Sequence, residues 1–111
     1  MIIMSEPSWI FAMDDDELLK NGLELVFPGG NPVLLIKTAG GEVFAMMNKC
    51  AHASCPMMGG ALEGYILECP CHYWKFDVRT GEYLEDREIT IPTYLCKVED
   101  GKVFVKIAQK Q

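Results

Sequence analysis

Both histidines of this chain of 111 residues, and four of its five cysteines, fall between positions 50 and 72. They form two short stretches, Cys50-Ala51-His52 and Cys69-Pro70-Cys71-His72, separated by residues 53–68, which are rich in Gly, Met and Ala. A fold that uses these side chains must bring two loops together, each carrying a Cys and a His. The opening Met1-Ile2-Ile3-Met4 lacks the basic flank and apolar run of an export signal. In such a chain, clustered Cys and His read first as a metal centre and only second as a disulfide framework.

The length suits a single domain over residues 1–111, with enough material for one core and none for a second. Half the residues are hydrophobic, and Val, Ile, Phe, Tyr and Trp recur in short runs, which suits a small β-rich globule. No stretch approaches the roughly 20 apolar residues a membrane helix requires, so the expected location is the cytoplasm. The net charge of −6, from 10 basic and 16 acidic side chains, argues against nucleic acid as a partner. A basic protein surface is the better complement.

Taken in order, Ser8 to Met13 reads as a first strand, and Asp14-Asp15-Asp16 as a solvated cap on a short helical turn through Leu19. Leu23 to Phe27 and Val33 to Lys37 alternate as strands around the turn Pro28-Gly29-Gly30-Asn31 and should pair as a hairpin. Glu42 to Met47 leads into Cys50, and Gly64 to Glu68 delivers Cys69, so each ligand pair is expected at the end of a strand. Trp74 to Val78 and Glu82 to Leu84 flank a turn at Arg79-Thr80-Gly81. Ile89 to Val98 and Lys102 to Ile107 should form a last hairpin across Glu99-Asp100-Gly101, with a frayed tail beyond. Cys96 is expected to be an inert buried thiol in its strand.

Two Cys and two His suit structural zinc. Zinc sites, however, more often take a Cys pair from one loop and a His or Cys pair from another. Here each loop supplies one of each, which better suits a two-iron cluster with both thiolates on one iron and both imidazoles on the other. An all-thiolate cluster on Cys50, Cys55, Cys69 and Cys71 is a further alternative, and it leaves both histidines idle.

The run Cys50-Ala51-His52, Cys69-Pro70-Cys71-His72, Trp74-Lys75-Phe76-Asp77, Arg79-Thr80-Gly81 resembles the Rieske [2Fe-2S] family. The likeness extends more loosely over nearly the whole chain. It implies an all-β fold, a Rieske-type antiparallel β-sandwich with a small cluster-binding subdomain, about residues 46–78, formed by the two loops. It also implies a [2Fe-2S] cluster with Cys50 and Cys69 on one iron and His52 and His72 on the other. By the same resemblance Cys55 and Cys71 stand where the Rieske proteins of cytochrome bc complexes carry a loop-to-loop disulfide. High-potential members of the family place Ser and Tyr hydroxyls after the second His. This chain has Trp74 and Phe76 there, which implies a potential near the low end of the roughly −150 to +300 mV Rieske range. Met57-Met58-Gly59-Gly60 is expected to fold over the cluster and exclude water.

With both histidines engaged, none remains for the mononuclear iron of a Rieske oxygenase, and no Rossmann glycine motif is present. The resemblance therefore implies a one-electron carrier and not an enzyme. It would be a soluble Rieske-type ferredoxin, monomeric when free, passing electrons from a flavin-dependent reductase to a terminal oxygenase or reductase. Glu63, Glu82, Glu85 and Asp86 are candidates for steering basic partners. The alternative is a small Rieske subunit held permanently in a larger oxidoreductase such as an assimilatory nitrite reductase.

Overall fold

Strand β3 (Val33–Lys37) is buried along its whole length, and its Val-Leu-Leu-Ile-Lys run explains why. Successive side chains of a strand point to opposite faces. Leu34 and Ile36 accordingly join one core, with Met46, Cys50, Met57, Leu67, Cys69, Phe76, Val78 and Ile91. Val33 and Leu35 join another, with Leu18, Ala45, Val103 and Val105. The computed structural model that shows this describes residues 9–50 and 55–107.

Around β3 lies a six-stranded antiparallel sheet. In chain order it comprises β1 (Trp9–Asp14), β2 (Gly22–Val26), β3, β4 (Val43–Met47), β10 (Thr93–Glu99) and β11 (Lys102–Lys106). Their spatial order is β1-β11-β10-β4-β3-β2. The anticipated β2–β3 and β10–β11 hairpins both form. A second antiparallel sheet takes the strands between β4 and β10 in sequential order. These are β5 (Ala61–Glu63), β6 (Ile66–Glu68), β7 (Lys75–Asp77), β8 (Glu82–Tyr83) and β9 (Asp86–Thr90). The fold is all-β, as the residue pattern indicates.

Several boundaries differ from expectation. The segment read as one strand over Ile89 to Val98 is cut in two at Ile91-Pro92, where the chain leaves one sheet for the other. Proline has no N–H to give a ladder. Its carbonyl accepts instead from Met47 N–H at 2.9 Å, while Ile91 N–H donates to Gly81 O at 2.8 Å and the Ile91 side chain is buried. Gly81 has φ +82, and a Cβ there would collide with the Ile91 carbonyl, so this crossing requires glycine. β6 starts at Ile66 because Gly64, at φ +62, and Tyr65 form the turn of a hairpin with β5, a strand that the Ala-Leu-Glu sequence did not announce.

The helical turn near the start shortens to a 3-10 turn at Asp15–Glu17. Asp15 is not simply solvated. Its carboxylate pairs at 2.8 Å with the ammonium of Lys37, whose Nζ also donates to the Asp15 carbonyl at 2.9 Å. This places a lysine at the buried end of β3 with its charge matched. The tail expected to fray lies, beyond Ile107, outside the described residues.

Candidate metal centre

The first loop leaves β4 at Met47 and is fastened at its base. Cys50 N–H donates to the Cys55 carbonyl at 2.6 Å, and Lys49 N–H to the Met47 carbonyl at 2.9 Å. The Asn48 side-chain oxygen accepts from Met58 N–H at 2.8 Å, and Gly60 N–H returns to the Met57 carbonyl at 2.9 Å. A Cβ on Gly60 would collide with the carbonyl of Glu68, the residue before Cys69. The end of the first loop therefore lies directly against the strand that delivers the second cysteine. Of the two methionines expected to fold over the site, Met57 is fully buried in the core and Met58 is exposed.

The second loop is the hairpin connection between β6 and β7, whose last pair is Glu68 with Lys75. Cys69 N–H donates to the Trp74 carbonyl at 2.7 Å, and Tyr73 N–H to the Cys69 carbonyl at 3.0 Å. Tyr73, at φ +65, makes the turn in a left-handed conformation and is exposed. Trp74 spends its carbonyl on loop closure, so β7 begins one residue later than expected. Its indole lies flat on the Tyr83 ring of β8, centroids 4.1 Å apart and 8° from parallel, with Phe76 edging both.

These loops bring the predicted residues together as follows. Cys50 and Cys69 are both buried in the same core, with Met57 and Phe76. Cys55 and Cys71 are joined by a disulfide across the loops, Cα atoms 6.5 Å apart. The sulfurs of Cys55, Cys69 and Cys71 all lie within 4.8 Å of one another. His72 is exposed at the loop tip. His52 lies outside the described residues. Two sheltered thiols at the base of the loops and an exposed imidazole at the tip fit the mixed Cys/His donor set of a Rieske cluster. Neither Trp74 nor Phe76 offers a hydroxyl, and the phenol of Tyr83 is engaged by Glu85. Burial, followed by the charge and hydrogen bond of Glu85, raises that phenol above its ordinary pKa.

A polar strut that the sequence reading missed holds the second sheet to the first. The buried Asp77 carboxylate accepts from Arg79 Nε at 3.0 Å, Nη2 at 2.9 Å and the backbone N–H at 2.9 Å. The Arg79 hydrogen bond, against the opposing effect of burial, holds Asp77 below the usual carboxylate range. The same guanidinium covers the Tyr65 ring at 4.3 Å, and the Tyr65 hydroxyl donates to Glu42 at the entry to β4. An acid and an arginine two residues apart beside a Thr-Gly turn were a visible signal. Cys96 is half-buried, less sheltered than expected. Its thiol donates to the Val43 carbonyl at 3.2 Å, and burial pushes its pKa up to about 11.

The Rieske [2Fe-2S] domain model matches residues 8–95. The chain belongs to the Rieske [2Fe-2S] family. The ferredoxin component of naphthalene 1,2-dioxygenase/salicylate 5-hydroxylase systems from Ralstonia sp. is 35% identical over 101 residues, covering 90% of this chain and 96% of that protein. The ferredoxin of carbazole 1,9a-dioxygenase from Nocardioides aromaticivorans IC177 superposes with a TM-score of 0.77 at 27% identity, covering 96% of this chain and all of that one. A small subunit from Mycobacterium tuberculosis assigned to NADH-dependent nitrite reductase shares the fold, with a TM-score of 0.85 at 22% identity over 94% of this chain and 98% of that one. As a Rieske ferredoxin, the chain carries a [2Fe-2S] cluster and serves electron transfer rather than catalysis. Among the described residues, no helix is long and apolar enough to cross a membrane.

Proposed function

We propose that this Rieske ferredoxin is the electron-carrying component of a multicomponent ring-hydroxylating dioxygenase system. It would take electrons from a flavin-dependent reductase and deliver them to a terminal oxygenase. The observation that carries this reading is the contrast between the buried thiols of Cys50 and Cys69 and the exposed imidazole of His72 on the same pair of stapled loops. The cluster supplies a centre that accepts and releases a single electron.

Cys50 and Cys69 are the thiolate ligands in this proposal, and His52 and His72 the imidazole ligands. The apolar floor of Met57, Leu67 and Phe76 keeps water from the thiolate side. His72 marks the side on which a partner comes closest. Glu63, Glu85 and Asp86 are exposed and available to steer a basic partner, whereas Glu82 is paired with Arg87 at 2.8 Å. The carrier acts in the cytoplasm as a free monomer.

The dioxygenase reading is supported at 35% identity over nearly the full length of the relative. The alternative of a permanent nitrite reductase subunit rests on likeness of fold alone. The deciding experiment is electron paramagnetic resonance of the dithionite-reduced protein with iron and sulfide analysis, on the wild type and on Cys50→Ser, His52→Ala, Cys69→Ser and His72→Ala. A Rieske signal that each substitution removes or alters is expected. Stoichiometric zinc with a silent spectrum, or a signal unchanged in both histidine variants, overturns the assignment.

A further inference from the structure

Three sulfurs within 4.8 Å of one another are more than a cross-link needs. Two of them, Cys55 and Cys71, form the disulfide, and the third belongs to Cys69, which carries no disulfide. Thiol–disulfide exchange requires that a thiol reach one sulfur of an existing bond while the displaced sulfur is stable as a leaving group. Cys69 comes from the same short hairpin loop as Cys71 and is buried. Cys71 is exposed and Cys55 half-buried.

We propose that the chain without its cluster carries an internal thiol–disulfide exchange site, in which Cys69 Sγ attacks Cys55 Sγ and displaces Cys71. A Cys55–Cys69 bond forms, the Cys55–Cys71 bond breaks, and the proton of the Cys69 thiol ends on the released Cys71 thiol. One disulfide and one thiol are present before and after, so no oxidant or reductant is consumed. The alternative product, a Cys69–Cys71 bond, would have to close over the single residue Pro70, a ring that the chain geometry disfavours.

The consequence concerns loading. The original pairing leaves Cys69 available, whereas the exchanged pairing occupies it and exposes Cys71 in its place. The site thus holds two states of equal oxidation level, of which only one is competent for the cluster, and cluster binding to Cys69 draws the equilibrium back. This step rests on the reading of Cys69 as an iron ligand for its meaning, though not for its chemistry.

The test is disulfide mapping of the full chain, prepared with and without the cluster, trapped by rapid alkylation under non-reducing conditions and digested for mass spectrometry. The cluster-free protein is expected to yield both Cys55–Cys71 and Cys55–Cys69 peptides, with alkylated Cys71 appearing alongside the second. The loaded protein is expected to yield Cys55–Cys71 only. Cluster-free Cys69→Ser should show Cys71 at least 10-fold less alkylated than the cluster-free wild type. Cys55–Cys71 as the sole bond in cluster-free protein, with Cys69 fully alkylated, overturns the proposal, as does Cys71 alkylation unaffected by Cys69→Ser. Iron and sulfide retention by Cys69→Ser is read separately and would overturn the ligand assignment alone.

Discussion

The indole of Trp74 lies parallel on the phenol ring of Tyr83, 4.1 Å between centroids, while the Trp74 carbonyl accepts the N–H of Cys69 at 2.7 Å. One residue thus closes the second loop with its backbone and anchors it to β8 with its side chain. Tyr83→Ala removes the ring on which the indole rests and frees the loop to open. It should lower the thermal midpoint and speed the loss of iron to a chelator several-fold. Tyr83→Phe keeps the stacking surface and should behave as wild type in both measurements.

Gly60 abuts the Glu68 carbonyl so closely that a methyl group has no room. Gly60→Ala must push the end of the first loop away from the strand leading to Cys69. A destabilisation of about 1–3 kcal/mol is expected, in line with other overpacked sites. Iron content per chain should fall with it. Gly30→Ala is the control for lost iron, since that residue has φ +85 and is strained by substitution but belongs to the β2–β3 turn, with nothing near its Cβ position.

Only part of this was legible beforehand. Val33 to Lys37 announced itself because a run of large aliphatic residues flanked by turns has few alternatives to a buried strand. The cluster loops were legible because Cys and His at close spacing have little other use. Ala61-Leu62-Glu63 was not, because its residues have weak strand preference and the strand exists only as the partner of β6. The break at Ile91-Pro92 was marked by its proline, yet the apolar residues on either side made the segment look continuous. Neither the pairing of Asp15 with Lys37 nor the stacking of Trp74 on Tyr83 leaves any local trace, since each joins residues that only the finished fold makes neighbours.

Asp77 gives stability a dependence on acid. Its carboxyl titrates lower in the folded chain than in the unfolded one, where the value is about 3.9. Its contribution is therefore complete above that value and is lost as pH falls through the lower native pKa. Chemical denaturation of the wild type from pH 7 downward should show stability declining below about pH 4. Asp77→Asn should be less stable at pH 7 and decline less over that acidic range.

Cys96 should be a slow thiol. With a pKa of about 11, only about one molecule in a thousand carries the thiolate at pH 8, against roughly a tenth for an unburied thiol of pKa 9.0. Alkylation of Cys96, followed by peptide mapping of the folded protein, should be on the order of 100-fold slower than in the denatured chain. Its rate should climb steadily with pH up to about 11.

Because β3 gives Leu34 and Ile36 to one core and Val33 and Leu35 to the other, neither core can open without uncovering the same strand. Opening either core therefore disturbs the other, and the strand they share is the last to lose its protection. Amide hydrogens of β3 should then exchange with solvent more slowly than those of the edge strand β2 or of the second loop. Strand β3 thus keeps β4, from which the first loop departs, in register however the loops above it rearrange.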